Sequence, residues 1–307
     1  MKRVLSISLG APHRDHSAEL VLAGSHLHIE RRGTNGDIDR AVELYRANDG
    51  SVDAFGVGGI EFFLQVGDRR YYWRDAKRIR AAVSKSKIGD GNGVRAVLSR
   101  RAVRALEQHL AGEERSLAGM RVLKTTATAR YFLAADLAAA GCHMVFGDFM
   151  FGLNLPIPVR DLRTVRRLGA TLLPAVTQLP YRWLYDIGDD QSAPPKPRWQ
   201  RHFDRADIIA GDFLQIRSCM PDDLSGKIIV TNTTTRRDVE ELRLRRAHLL
   251  VTESPRIEGR TFGSNVIEAI LLALIEKPQD QVTTADFERL IDAVDLRPGI
   301  EVLTPRH

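Results

Sequence analysis

The stretch RVLKTTATARYFLAADLAAAGCHMVFGDFMF, residues Arg121–Phe151, decides the fold that we predict for this chain. A short apolar run, an alanine-rich segment that ends at Gly141 and a second apolar run that ends at Gly147-Asp148 predict a strand, a helix and a strand. A strand–helix–strand unit of this length crosses over right-handed and builds a parallel sheet. The loop that opens the helix then presents free N–H groups to a ligand.

The remaining chain alternates between strand-like and helix-like segments. From residue 121 to 275 the alternation predicts about five strands, most in parallel order, which is typical of a doubly wound, Rossmann-like sheet. Shorter segments before it predict a smaller α/β domain. The predicted parts follow in this order: an N-terminal α/β domain (1–92), a connecting helix and linker (93–120), a Rossmann-like nucleotide-binding domain (121–282), and a C-terminal helix and tail (283–307).

The composition indicates a soluble protein with a large core. Of 307 residues, 43% are hydrophobic and 27% charged, which is ordinary for globular proteins. The longest apolar stretch, Val266–Ile275, contains Glu268 and is too short to span a bilayer, so we expect a helix buried on both sides and no membrane partner. The N-terminus turns polar too early for a signal peptide, and Cys142 and Cys219 make no disulfide framework. We therefore expect a cytoplasmic protein.

The charge balance bears on the partner. A net charge of +6 suits nucleic acid, but it is spread over several predicted helices, and a small anionic substrate would suit it as well. The run Lys196–Arg205, with Trp183, Tyr185 and Trp199 nearby, has the composition of a surface that stacks single-stranded bases. We expect instead an interdomain contact or a homodimer contact there.

The loop after the first strand of the opening stretch is the candidate cofactor site. Thr125, Thr126, Thr128 and Arg130 would hold a pyrophosphate over the helix N-terminus, where the helix dipole favours anions. The glycines of G-x-G-x-x-G are absent from it. The alternative is a plain strand-to-helix turn with threonine caps.

Carboxylates at strand ends are the second candidate feature. Asp148 lies about 20 residues beyond the loop, where a dinucleotide-binding unit keeps the acid that binds the ribose. Such an acid disfavours a 2′-phosphate, so NAD is predicted over NADP; the alternative is a solvated loop carboxylate. Gly211-Asp212 repeats the Gly147-Asp148 pattern at the end of another strand, on the face where open α/β sheets bind ligands.

The order of the predicted parts resembles the quinate/shikimate 5-dehydrogenase family. Its motif Asn-Thr-Asp-Gly-x-Gly before the connecting helix resembles Gly89–Gly93 here, within a segment dense in turn-forming residues (87–93). Its Asn-Ala-Thr strand end, beside the nicotinamide, resembles Thr231–Thr233. The resemblance implies an NAD(P)-dependent oxidoreductase that oxidises a hydroxylated cyclic acid by hydride transfer in the interdomain cleft. It also implies a catalytic acid/base pair, assigned to Asp90 and Lys87, and cofactor contacts from Asn232 and Thr233.

The chain departs from the family pattern in two places. The family's Gly-x-Gly-Gly loop is replaced by Thr125–Arg130, and residues 40–60 contain no lysine upstream of the Asp. One alternative is therefore a Rossmann-like non-redox enzyme or sensor that binds a phosphorylated or nucleotide ligand; another is a nucleic-acid-binding protein. Asp90-Gly91 can equally be a simple turn. His13, Asp15 and His16 lack a further ligand at a recognised spacing, so no metal site is predicted.

Overall fold

The computed structural model describes residues 1–184, 196–257 and 260–305. The first sheet has five strands in the order β2-β3-β1-β4-β7, all parallel except the edge strand β2. The elements of this part are β1 (Lys2–Ser8), β2 (His16–Leu22), β3 (Ser25–Gly33), α1 (Ile38–Asn48), β4 (Ala54–Gly58), the hairpin β5 (Phe63–Val66) and β6 (Arg69–Tyr72), α2 (Arg74–Arg80) and β7 (Lys87–Gly89).

The second sheet has six strands in the order β15-β12-β11-β10-β8-β9. Its elements, with the long helix that precedes it, are α3 (Asn92–Gly112), β8 (Arg121–Lys124), α4 (Tyr131–Ala139), β9 (His143–Phe146), α5 (Asp148–Leu153), α6 (Leu162–Val176), α7 (Gln200–Arg205), β10 (Ile208–Gly211), α8 (Phe213–Cys219), β11 (Ile228–Thr231), α9 (Arg236–Leu244), β12 (Leu249–Thr252), β13 (Arg256–Ile257), β14 (Arg260–Thr261), α10 (Ser264–Leu274), α11 (Thr284–Ala293) and β15 (Gly299–Val302). Its five strands from β8 to β12 are parallel, and β15 is antiparallel to β12.

The opening stretch folds as predicted, and the α/β class with a Rossmann-like parallel sheet is confirmed. Gly141 adopts φ +83° just after α4, a left-handed conformation that suits glycine at a helix end. All four residues of β10, β11 and β12 are buried, as expected for strands covered on both faces. The strand order reverses between β8 and β10, and open α/β sheets bind ligands at such a switch point.

Helix α10 ties the end of the chain to its beginning. The predicted burial of this apolar helix is confirmed, because every residue from Val266 to Ala273 is buried. It packs on β1, β4 and β7 of the first sheet and on α3. Each fully buried Leu or Ile side chain contributes about 1.5–3 kcal/mol to stability. The two halves of the molecule therefore share a core.

Two local predictions need correction. Lys87–Gly89 is a strand rather than part of a turn, because it pairs with β4 at the edge of the first sheet. Asp148 begins α5 and does not lie in an open loop, whereas Asp212 follows β10 as predicted and caps α8. The antiparallel edge strand β15 was not predicted, since its burial is partial and its pattern short.

Among the described residues, no helix is both long and apolar enough to cross a membrane.

Candidate functional site

A cleft of about 1240 Å³ lies where the carboxyl ends of both sheets meet. Its walls include Ser8 and Gly58 at the ends of β1 and β4, and Asp90 just after β7. From the second sheet come Asp212 and Asn232, which follow β10 and β11. Carboxyl ends of parallel strands are the usual binding edge of α/β sheets, so this cleft is the candidate site.

The threonine loop after β8 is closed by a protein carboxylate. Asp148 accepts hydrogen bonds from the backbone N–H groups of Ala127 (3.0 Å) and Thr128 (2.8 Å) and from the Thr128 hydroxyl (2.7 Å). The N–H groups predicted to hold a pyrophosphate, and the acid predicted to hold a ribose, are thus brought together and bound to each other. In this arrangement neither is directed at a ligand.

The other threonines of the loop are also engaged within the protein. The hydroxyls of Thr125 and Thr126 donate to Oε1 of Gln215 on α8, at 3.1 and 2.8 Å. Lys124 is fully buried, and its ammonium donates to the carbonyl of Thr126 at 2.6 Å. Burial and, after it, the neighbouring charge of Arg130 together lower the pKa of Lys124 to about 8.

Arg130 reaches the cleft but is held by acids. Its guanidinium lies 2.8 Å from Glu253, which is almost fully buried, and 3.8 Å from Asp212. The Ser99 hydroxyl on α3 donates to the other oxygen of Glu253. Arg130 therefore serves an ion-pair network that joins the second sheet to α3.

The structure does not bring Lys87 and Asp90 together as an acid/base pair. Lys87 stands at the start of β7, and its ammonium donates to the carbonyls of Leu272 (2.9 Å) and Ile275 at the C-terminal end of α10. Asp90 stands at the other end of the same strand and lines the cleft. The predicted pairing is wrong because Ile88 and Gly89 of the extended strand separate the two residues, and residues three apart in a strand point to opposite faces.

Asp90 belongs instead to a buried polar cluster. Its carboxylate accepts from the N–H of Phe62 (2.6 Å), and from both the N–H (3.0 Å) and the side-chain amide (2.7 Å) of Asn92. Beside it, Glu268 accepts from the N–H groups of Gly91 (2.6 Å) and Gly93 (3.3 Å) at the N-terminus of α3. Burial and, after it, the negative charge of Asp90 together raise the pKa of Glu268 to about 8. The sequence signal for this cluster is Glu268 itself, an isolated carboxylate within the apolar segment Val266–Ile275.

Asn232 and Thr233 lie at the cleft, as expected for residues that follow a parallel strand. The amide of Asn232 donates to Asp212 at 2.7 Å, and its oxygen accepts from the N–H of Phe213 at 3.2 Å. Asn232 thus joins the ends of β10 and β11. Thr233 is half-buried in the cleft wall.

Positive charge dominates the cleft. Nine Lys and Arg residues line it against four Asp and Glu residues. Within the described part of the chain, Arg14, Lys196, Arg236 and Arg237 of this set have no hydrogen-bond or ion-pair partner for their side chains, and all four are exposed. The sequence signal for Arg236 and Arg237 is the run TNTTTRR (231–237), in which two adjacent basic residues follow the end of a predicted strand.

Two further sequence features can be placed. Trp199 lines the cleft together with Lys196 and Arg198, whereas Tyr185 lies outside the described residues. Asp15 also lines the cleft, where it accepts hydrogen bonds from the Arg31 guanidinium (2.6 Å) and the N–H of Gly33 (2.7 Å). The basic and aromatic run therefore contributes to the interdomain cleft.

Comparison with solved structures finds distant similarity over nearly the whole chain. A glutamate dehydrogenase is 11% identical, with 95% of this chain and 68% of that chain covered and a TM-score of 0.41. The hetero-hexameric glutamate dehydrogenase from Thermus thermophilus is 13% identical, with 95% and 74% covered and a TM-score of 0.41. The solute-binding protein of a 5-methylthioribose transporter from Thermotoga lettingae is 9% identical, with 98% and 85% covered and a TM-score of 0.39. Similarity at this level carries no argument about function.

No curated protein matches the chain. Two family models do. Residues 3–90 match the one described as Domain of unknown function (DUF8753), and residues 93–303 match the one described as Domain of unknown function (DUF8754). Only Gly91 and Asn92, where β7 passes into α3, lie between the two matches. Because the second match covers more than half of the chain, the protein belongs to the family of the Domain of unknown function DUF8754.

Proposed function

We propose that this protein binds a small anionic ligand, of the phosphorylated or nucleotide class, in the cleft between its two sheets. The observation that carries the proposal is the excess of positive charge in the cleft wall, nine cationic side chains against four acidic ones. Structural ion pairs account for several of these cations, but Arg14, Lys196, Arg236 and Arg237 have no partner among the described residues. Unpaired cations on the walls of a concave site attract anions and raise their local concentration.

Hydride transfer to NAD or NADP has weaker support. It would need free N–H groups for the pyrophosphate, whereas those of Ala127 and Thr128 bind Asp148. It would also need an acid/base pair, and Lys87 binds the end of α10 instead of facing Asp90. The oxidoreductase implied by the family resemblance is therefore our second candidate, and the same experiment tests it.

The test is a ligand panel measured by thermal shift and calorimetry at low salt. The panel contains inorganic phosphate, ADP, NAD, NADP, ribose 5-phosphate and quinate. The variant Arg236→Glu/Arg237→Glu reverses two cleft charges without breaking an ion pair of the described structure. Arg163→Glu/Arg167→Glu on α6 makes the same change in net charge on exposed residues outside the cleft.

We expect at least one phosphorylated compound to raise the melting temperature of the wild-type protein. We expect the cleft variant to lose about tenfold in affinity, because reversing exposed charges removes roughly 0.5–1 kcal/mol each. The α6 variant should bind like the wild type. Equal losses in both variants, or no binding of any phosphorylated compound, would refute the proposal. Reduction of NAD or NADP in the presence of quinate would support the dehydrogenase instead.

A further inference from the structure

The N-terminus of α10 opens into the cleft without a cap. This 11-residue helix begins after Gly263, which has no side chain to accept from the first turn. The N–H groups of Val266 (2.9 Å) and Ile267 (3.0 Å) donate to the carbonyl of Gly263. Those of Ser264 and Asn265 have no acceptor in the described part of the chain, and both residues line the cleft. Free N–H groups and the helix dipole make this end positive.

A buried hydroxyl without a partner lies in the same wall. Thr234 is 4% exposed and lines the cleft, and its Oγ1 has no hydrogen-bond partner among the described residues. Its backbone is tied to Thr261, whose hydroxyl accepts from the N–H of Thr234 (2.7 Å) and donates to its carbonyl (2.8 Å). Thr261 precedes Gly263 by two residues, so this hydroxyl stands close to the start of α10. An unpaired buried polar group destabilises the protein, and a ligand atom that accepts a hydrogen bond from this hydroxyl would remove that penalty.

The neighbouring charges favour an anion at this point. Arg236 and Arg237 follow Thr234 in the chain and line the same cleft. Asp90 is a nearby carboxylate, separated from the start of α10 by Gly91. Its carboxylate oxygens already accept three hydrogen bonds from Phe62 and Asn92.

Gly91 packs closely against the start of α10. Gly91 has φ +96°, and a Cβ there would lie 2.9 Å from the N atom of Asn265 and overlap the Ser264 side chain. The N-terminus of α3 beside it is filled, because Glu268 takes the N–H groups of Gly91 and Gly93. The N-terminus of α10 has no corresponding carboxylate among the described residues.

We propose that the N-terminus of α10 and the hydroxyl of Thr234 bind the phosphoryl group of the ligand. This inference rests on the proposed function, since it places one group of that ligand. Two N–H groups and the hydroxyls of Thr234 and Ser264 offer several donors from different directions. A phosphoryl group, with three terminal oxygens and up to two charges, matches such a set better than a planar carboxylate does.

The test uses inorganic phosphate and acetate as probes, with binding followed by Trp fluorescence and calorimetry on the full chain. Thr234→Val removes the hydroxyl and keeps the shape, so folding should be unaffected because that hydroxyl has no partner to lose. Asn265→Asp places a negative charge at the helix end, where it favours the helix but repels an anion. Thr171→Val, on the exposed outer face of α6, is the matched control.

We expect Thr234→Val to weaken phosphate binding by roughly tenfold or more, the effect of losing a hydrogen bond to a charged group. Asn265→Asp should weaken it at least as much, and Thr171→Val should bind like the wild type. Unchanged phosphate affinity in both α10-site variants would overturn the inference and leave the cleft proposal standing. Acetate binding as tight as phosphate would overturn the phosphoryl assignment. If the wild-type protein binds no panel compound, the proposed function fails first and the inference fails with it.

Discussion

Replacing Asp148 by alanine tests whether the threonine loop depends on an internal carboxylate. In the wild-type protein this side chain accepts three hydrogen bonds, two of them from consecutive backbone N–H groups. Alanine removes all three acceptor contacts. It also removes the nearby negative charge that favours the protonated form of the buried Lys124. We expect a large loss of stability from a substitution at a half-buried position.

The magnitude follows from the burial of the donors. Ala127 is fully buried, so its N–H group would lose the one acceptor that it has among the described residues without gaining water, at a cost of about 1–3 kcal/mol. Thr128 is only half-buried, so water can partly replace Asp148 as the acceptor for its N–H group and its hydroxyl. The loss of each of these two hydrogen bonds should therefore cost about 0.5–1.5 kcal/mol. Asp148→Ala should therefore destabilise the fold by roughly 2–6 kcal/mol.

The assay is urea unfolding followed by circular dichroism. With a slope of about 3 kcal/mol per molar urea for a chain of this size, the urea midpoint should fall by about 0.7–2 M. Asp161→Ala is the control, because Asp161 is an exposed N-cap whose carboxylate bonds Thr164 at 2.7 Å. Its loss should be about 1 kcal/mol. A loss for Asp148→Ala no larger than for Asp161→Ala would refute the reasoning.

Two further predictions concern the cluster beside α10. Because the folded-state pKa of Glu268 is raised from 4.5 to about 8, its contribution to stability is complete below pH 4.5 and is lost as the pH rises through 8. Glu268→Gln should remove a pH dependence of up to about 1.4 kcal/mol per pH unit. The unfolding free energy of the variant should then change less with pH between pH 5 and 8 than that of the wild type. An unchanged pH dependence would contradict a raised pKa for Glu268. Gly91→Ala should destabilise the protein by about 2 kcal/mol or more for two reasons. A Cβ at this position would overlap the Ser264 side chain, and the left-handed backbone conformation is strained for alanine. Gly119→Ala, at φ +82° with open space around it, should cost about 1 kcal/mol in the same urea assay, and equal costs would show that contact with α10 is unimportant.

The sequence predicted the fold well where local patterns and packing agree. The opening strand–helix–strand unit and the buried helix α10 follow from apolar runs of suitable length and from glycine at a helix end. The candidate site was predicted less well, since its contacts join residues far apart in the chain. Glu268 reaches Gly91 across 177 positions, and Ser99 reaches Glu253 across 154. The hydrophobic periodicity of a sequence does not predict contacts between residues this far apart. A lone carboxylate in an apolar helix indicates only that it has some hydrogen-bonding or charged partner.

The closed loop follows from the same physics that suggested a phosphate site. A loop before a helix exposes N–H groups that need an acceptor, and glycine lets a pyrophosphate approach the backbone closely enough to supply one. With threonine and alanine in the loop, that approach is crowded, and Ala127 is buried. A carboxylate from the end of the next strand can satisfy the same N–H groups, and Asp148 does so. An anion entering the cleft would then find its free donors further along the sheet edge, at Thr234 and the start of α10. The absence of glycines from the loop after β8 therefore argues against a phosphate ligand in that loop. It favours instead a helix N-terminus that no side chain caps, which here is the start of α10.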